Sequence, residues 1–253
     1  MSDNESVFLF QEEGHAAIML PDFDTGLGVQ ANQHLIIHGK EAMLLDPGGH
    51  KVYNKVMSHT FKNLKGGIQL KHIFLSHQDP DIVAAVNGWL MTTDADAWVS
   101  VLWERFVPHF GLDRLVADRL HGIPDEGRFL SLGGVELMVL PAHFLHSCGN
   151  FMVYDPHTKI LYSGDLGASL GQDYRIVPDF EAHKQYFEGF HKRYMGGHAA
   201  LSKWVQMVRQ LDIETIAPQH GAMFQGAHVG QFLDWLEALE CGPDIMSYTL
   251  PQR

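Results

Sequence analysis

The feature that most restricts how this chain folds is where its histidines and aspartates fall. Short β-like apolar runs repeatedly stop at one of them. Ile73–Leu75 stops at Ser76-His77, and Val135–Leu140 leads into Pro141-Ala142-His143-Phe144-Leu145-His146. Ile160–Ser163 ends in Gly164-Asp165, and Thr215–Ala217 stops at Pro218-Gln219-His220-Gly221. Side chains at strand ends gather distant sequence at one edge of a sheet, where ligand sites are commonly built. An earlier run, Ala42–Leu45, ends in the turn cluster Asp46-Pro47-Gly48-Gly49.

Val7–Phe10, Ala16–Leu20, His34–Ile37, Trp98–Leu102 and Asn150–Tyr154 read as further strands. Apolar spacing predicts helices over Val52–Asn63, Asp81–Met91, Glu181–Tyr194, Leu201–Leu211 and Val229–Leu239. Pro108–Gly127 reads as loop or short helix. Strand runs followed by helices, in two similar halves, predict an α/β sandwich with two sheets inside and helices on the outer faces. One domain over residues 1–253 is expected.

Composition excludes several classes of partner. A net charge of −12 argues against a nucleic-acid-backbone binder, which needs a basic face. No apolar run approaches the ~20 residues of a membrane span. The polar start, MSDNESVFLF, is no secretory signal, and two cysteines, Cys148 and Cys241, fit a reducing cytoplasm.

His77-Gln78-Asp79-Pro80-Asp81 places three donor side chains at alternate positions, so an extended turn points all three to one side. Pro80 keeps Asp79 out of the helical region. Capping of the following helix is the competing role for Asp79 or Asp81. Gly164 lets the backbone turn sharply and aim Asp165 inward. Together His77, Asp79, Asp81, either His143 or His146, Asp165 and His220 are three carboxylates and three imidazoles without a thiolate. Such a set suits iron or manganese that must meet dioxygen, with zinc also open. Three carboxylates offset much of the charge on two divalent ions. No catalytic group beyond these ligands stands out. His143 reads as a neighbour or surface residue, and Cys148 as a buried structural thiol.

The order and spacing of these segments resemble the metallo-β-lactamase fold over nearly the whole chain, with Asp46-Pro47-Gly48-Gly49 similar to its early D-x-G turn. The implied architecture is a metallo-β-lactamase-like αββα sandwich of two mixed sheets. Hydrolases of this fold carry H-x-H-x-D-H; here Asp79 replaces the second His, and Ile82 replaces the His after the aspartate. His77-x-Asp79-x-Asp81 instead resembles the H-x-[ED]-x-D motif of flavodiiron proteins and their flavodoxin-less, oxygen-binding di-iron relatives. The blocks around His146, Asp165 and His220 are similar to that family's later motifs. The resemblance implies two iron ions with an oxo, hydroxo or peroxo bridge. One would take His77, Asp79, His146 and one oxygen of Asp165; the other would take Asp81, His220 and the second oxygen of Asp165. It implies a protein that binds, senses or reduces O2, and NO, with no flavodoxin domain or flavin in this chain. An oxidoreductase role would need an external donor such as a rubredoxin or flavoprotein; a sensor would need a signalling partner. A homodimer is expected. The alternative is a metal-dependent thioesterase or phosphodiesterase of the same superfamily, in which a metal-bound hydroxide attacks the substrate.

Overall fold

A computed structural model describes residues 5–23 and 28–251; the first four residues of the polar start lie outside the described residues. Seven strands form one sheet in sequence order: β1 (Val7–Glu12), β2 (His15–Met19), β3 (His34–His38), β4 (Glu41–Leu45), β5 (Gln69–Phe74), β6 (Asp96–Ser100) and β7 (Leu120–Ile123). β1 to β4 pair antiparallel, and β4 to β7 pair parallel. The second sheet has the order β13-β12-β11-β10-β9-β8. Its strands are β8 (Arg128–Leu132), β9 (Val135–Pro141), β10 (Phe151–Asp155), β11 (Ile160–Gly164), β12 (Thr215–Pro218) and β13 (Phe224–Gln225). Only its β11–β12 pair is parallel. Both sheets are therefore mixed, as expected.

Three apolar layers hold these sheets. In β3, Leu35 packs with Val56 and Trp89 of α1 (Tyr53–Asn63) and α3 (Val86–Thr92) on the outer face. Ile36, one residue on, points the other way, into a layer shared with Val139, Phe151 and Val153 of the second sheet. Met152 and Tyr154 of β10 face a third layer with Phe187, Trp204 and Phe232 of α5 (Phe180–Tyr194), α6 (His198–Val208) and α7 (Ala227–Ala238). The central strands are covered on both faces, which is why they read as continuous apolar runs rather than as alternation. The result is helix, sheet, sheet, helix.

Local corrections fall where short elements meet. Trp98–Leu102 is the end of strand β6 followed by helix α4 (Val101–Glu104), with Ser100 Oγ accepting the Leu102 N–H at 3.2 Å. A serine cap splits an apolar run that hydropathy alone leaves whole. Strand β7 lies inside the stretch read as loop, and β8 follows it with Leu130 and Leu132 buried between exposed residues. The helix expected over Asp81–Met91 is two pieces, α2 (Pro80–Val83) and α3.

β9 and β11 are both antiparallel to β10, and β12 is parallel to β11, so all three end at the same edge of the second sheet. That edge, with the end of β5, carries the site. Among the described residues, no helix is long and apolar enough to cross a membrane.

Candidate metal centre

The two carboxylate oxygens of Asp165 face different groups of donors. Asp165 Oδ2 lies 2.9 Å from His146 Nε2 and 3.7 Å from His77 Nε2. Asp79 Oδ2 completes that group, 3.5 Å from His77 Nε2 and 3.8 Å from His146 Nε2. Asp165 Oδ1 lies 3.4 Å from His220 Nε2, which is in turn 3.6 Å from Asp81 Oδ2. The structure thus brings all six residues singled out in the sequence to one edge, around a shared carboxylate.

His77 Nε2 and Asp165 Oδ1 are buried with no hydrogen-bond partner. An unsatisfied buried polar atom costs about 1–3 kcal/mol. Ligand atoms bound at about 2.0–2.2 Å to one ion stand roughly 3–4 Å apart, which matches these separations. The donor set fits cations, and a cation supplies what the orphaned atoms lack.

Each donor is aimed from behind. His77 Nδ1 is 2.9 Å from Ser76 Oγ, and His220 Nδ1 bonds the Gln30 carbonyl, so both rings turn Nε2 inward. Asp79 occupies the N-cap position of α2 with extended backbone angles, yet makes no side-chain cap bond. Its Oδ1 instead accepts from Gln78 Nε2 at 3.0 Å, and Gln78 Oε1 accepts from Ser147 Oγ at 2.6 Å. The competing capping role is thereby answered for Asp79. Asp81 sits in the first turn of α2 rather than in extended chain, so the helix, not an alternating strand, carries it toward His220.

Several supporting residues carried no sequence signal of their own. Asn150 Nδ2 donates to the Leu145 carbonyl beside His146. Asn32 Nδ2 donates to the carbonyls of Pro218 and Gly221 at 3.0 and 2.9 Å, fixing both sides of His220. His191 donates from Nδ1 to the Phe187 carbonyl at 2.7 Å and accepts the Gly167 N–H at Nε2, 2.9 Å away, bracing the turn after Asp165. Neutral amides and an isolated helical histidine resemble ordinary core and turn residues until the turns they tie are known. Asp46, visible in the sequence only as part of a turn, also supports the site: its Oδ1 accepts the Ser76 N–H at 2.8 Å, and burial pushes its pKa up to about 6.

The electrostatics describe a place prepared for positive charge. Burial alone would lower His220, but Asp165 and Asp81 outweigh it and push the imidazole up to about 9. His77 is raised in the same way, burial being outweighed by Asp79 and Asp165. Burial would raise Asp165, but the His146 hydrogen bond to Oδ2 and the nearby His220 and His77 imidazoles hold it well below the carboxylate range. The carboxylates thus favour positive charge at His77 and His220, where cations would sit.

The cluster floors a cavity of about 510 Å³ walled by Val29, Leu170, Tyr186, Phe190 and Tyr194. The rings of Phe190 and Tyr194 each stand 5.9 Å from that of His146. His143 bonds the Asp125 carbonyl at 2.8 Å and belongs to the surroundings. Cys148 is half-buried, not buried as expected. Ile82, fully buried, packs into the outer layer of the first sheet and takes no part in the cavity wall.

Fold and donor arrangement together define a metallo-β-lactamase-type sandwich with a carboxylate-centred cluster of candidate metal ligands. Residues 29–221 match the ODP family beta lactamase, and the chain belongs to that family. It is similar to a structure of the peroxy diiron species of the chemotaxis sensor ODP, at 39% identity and a TM-score of 0.85, covering 95% of this chain and 97% of that one. The apo state of the chemotaxis sensor ODP from T. denticola is 38% identical over the same shares, with a TM-score of 0.83. A mutant flavo di-iron protein from Thermotoga maritima has a TM-score of 0.74 at 17% identity, covering 92% of this chain and 61% of that one, a likeness of fold. An uncharacterized protein of Methanocaldococcus jannaschii is 25% identical over 209 residues, 80% of this chain and 51% of that protein. The chain spans about half or less of the length of the curated relatives it matches.

Proposed function

We propose that this chain is a non-haem di-iron protein that binds and senses O2, with NO as a second ligand of the same site. His77, Asp79, His146 and Asp165 Oδ2 would hold one iron, and Asp81, His220 and Asp165 Oδ1 the other, within one domain over residues 1–253. The observation that carries this reading is Asp165, whose two oxygens stand 2.9 Å and 3.4 Å from histidines of two separate donor groups. The relative described as a chemotaxis sensor in a peroxy diiron form, 39% identical over nearly all of both chains, supports iron and oxygen sensing.

When bound, a ferrous pair supplies electrons and open coordination positions to dioxygen. The chain's own residues do the rest. Three carboxylates balance the charge of two divalent cations. Phe190, Tyr194 and Leu170 give the cavity over the cluster an apolar wall and leave room for a diatomic ligand. Ser76 and Gln30 fix which ring nitrogen His77 and His220 present.

The test combines metal counting with a spectrum. Protein produced with iron available is expected to hold two irons per chain, and its anaerobic ferrous form to develop near-ultraviolet absorbance on exposure to air. Protein that holds only zinc under those conditions and cleaves a thioester overturns the reading, as does a ferrous form with no spectral response to O2 or NO.

A further inference from the structure

A second group of histidines lies far from the metal centre. His38 and Asp155 are the last residues of β3 and β10. β3 runs antiparallel to β4, and β10 antiparallel to β11, so both residues lie at the end of the sandwich opposite the strand ends just described. His15 is the register partner of His38 on β2, Glu12 ends β1, and His157 stands in the turn after β10.

Their side chains form a connected array. His38 Nε2 bonds Asp155 Oδ2 at 2.8 Å, and both side chains are fully buried. Asp155 Oδ1 also accepts the backbone N–H of His157 at 2.9 Å, so one carboxylate holds both histidine-bearing elements. His15 Nδ1 lies 2.6 Å from His38 Nδ1. The rings of His15 and His157 stack with centroids 4.2 Å apart. His157 Nε2 is 2.5 Å from Glu12 Oε1.

These contacts fix the tautomers of the neutral rings. His38 donates to Asp155 from Nε2, so its Nδ1 carries a lone pair. That lone pair accepts the Nδ1 hydrogen of His15, and the lone pair of His15 is left at Nε2. A carboxylate behind an imidazole is how proteins orient a metal-ligating histidine; here the relay is one imidazole longer. Glu12, His15 and His157 each place one donor atom within 4.8 Å of the others. We infer that Glu12, His15 and His157 form a second metal site, for Zn2+, held in register from behind by His38 and Asp155.

Two imidazoles and one carboxylate, with water in the remaining position, make an open tetrahedral zinc site. The proton between His157 and Glu12 is what Zn2+ displaces, and both side chains can part to admit it, being 33% and 48% exposed. A fully buried imidazole–carboxylate pair is costly as a mere stabiliser, whereas orienting a ligand gives it a use.

The experiment is a Zn2+ titration of the full chain against a chromophoric chelator, run on metal-stripped protein and on protein loaded with iron. The result is read as a difference between wild type and variants, so it does not depend on which metal the main centre prefers. His157→Ala, His157→Gln and Glu12→Gln are each expected to take up one equivalent of Zn2+ fewer than wild type, with the iron spectrum unchanged. His38→Gln is expected to weaken that equivalent about 10–100-fold. His157 and Glu12 are partly exposed, and circular dichroism confirms that their variants fold. Equal Zn2+ uptake by wild type and folded His157→Gln overturns the site.

Discussion

Asp165 joins the two donor groups through one carboxylate, so its removal is not equivalent to loss of any single histidine. Asp165→Ala is expected to lose both metals, whereas His220→Ala should lose one and keep the other, which metal analysis per chain distinguishes. Equal loss in the two variants would contradict the division of donors between Oδ1 and Oδ2. Asp79 gives a second contrast. A residue that caps a helix costs typically ~1 kcal/mol when changed to alanine. Asp79 caps nothing, so Asp79→Ala should cost metal-stripped protein none of that capping energy while weakening metal uptake. Urea denaturation of stripped protein measures the first, and chelator competition the second. At this scale the sequence was eloquent about donors and silent about what aims them. His77, Asp79, His146, Asp165 and His220 stand at strand ends, a position that periodicity exposes. Gln30 and Asn32 act across nearly the whole chain, on the segment around His220, and no local pattern marks them.

Among the elements, α5 does the most to connect core and site. Asp179 caps its N-terminus by accepting the Ala182 N–H at 3.1 Å, and His183, Phe187 and His191 line its buried stripe. Phe190 and Tyr194, one turn apart, meet the cavity from its last turns. The stripe is legible because it repeats at helical spacing over 15 residues. α4 and β7 were not legible, since four residues cannot display a period. His191 couples the stripe to the candidate metal site through the Gly167 N–H, two residues after Asp165. His191→Leu keeps apolar bulk but leaves that N–H buried and unpaired. A loss of about 1–3 kcal/mol in folding free energy is expected from urea denaturation, together with faster release of metal to a chelator. A variant as stable as wild type that releases metal faster would separate the two roles.

For the whole molecule, the surplus of acidic groups says little about acid stability, because the buried histidines govern much of it. Burial lowers His34 to about 3, and His183 and His191 to about 4, each from an ordinary 6.5. All three lie inside the packed layers rather than on the solvated surface. As pH falls below 6.5 the unfolded chain takes up protons on these imidazoles and the folded chain does not. The stability they allow is therefore complete above about pH 6.5 and is lost progressively as pH falls toward 4. One such proton is worth about 1.4 kcal/mol per pH unit. His34 is the cleanest probe: it sits in β3, its Nε2 has no hydrogen-bond partner, and burial is the sole cause of its shift. His34→Leu is expected to flatten the fall of folding free energy between pH 6 and pH 4 by up to about 1.4 kcal/mol per unit. Urea melts of stripped wild type and variant at a series of pH values give the two slopes. Identical slopes would mean that His34 is protonated in the folded chain as readily as in the unfolded one, and that burial in this sandwich does not hold it neutral.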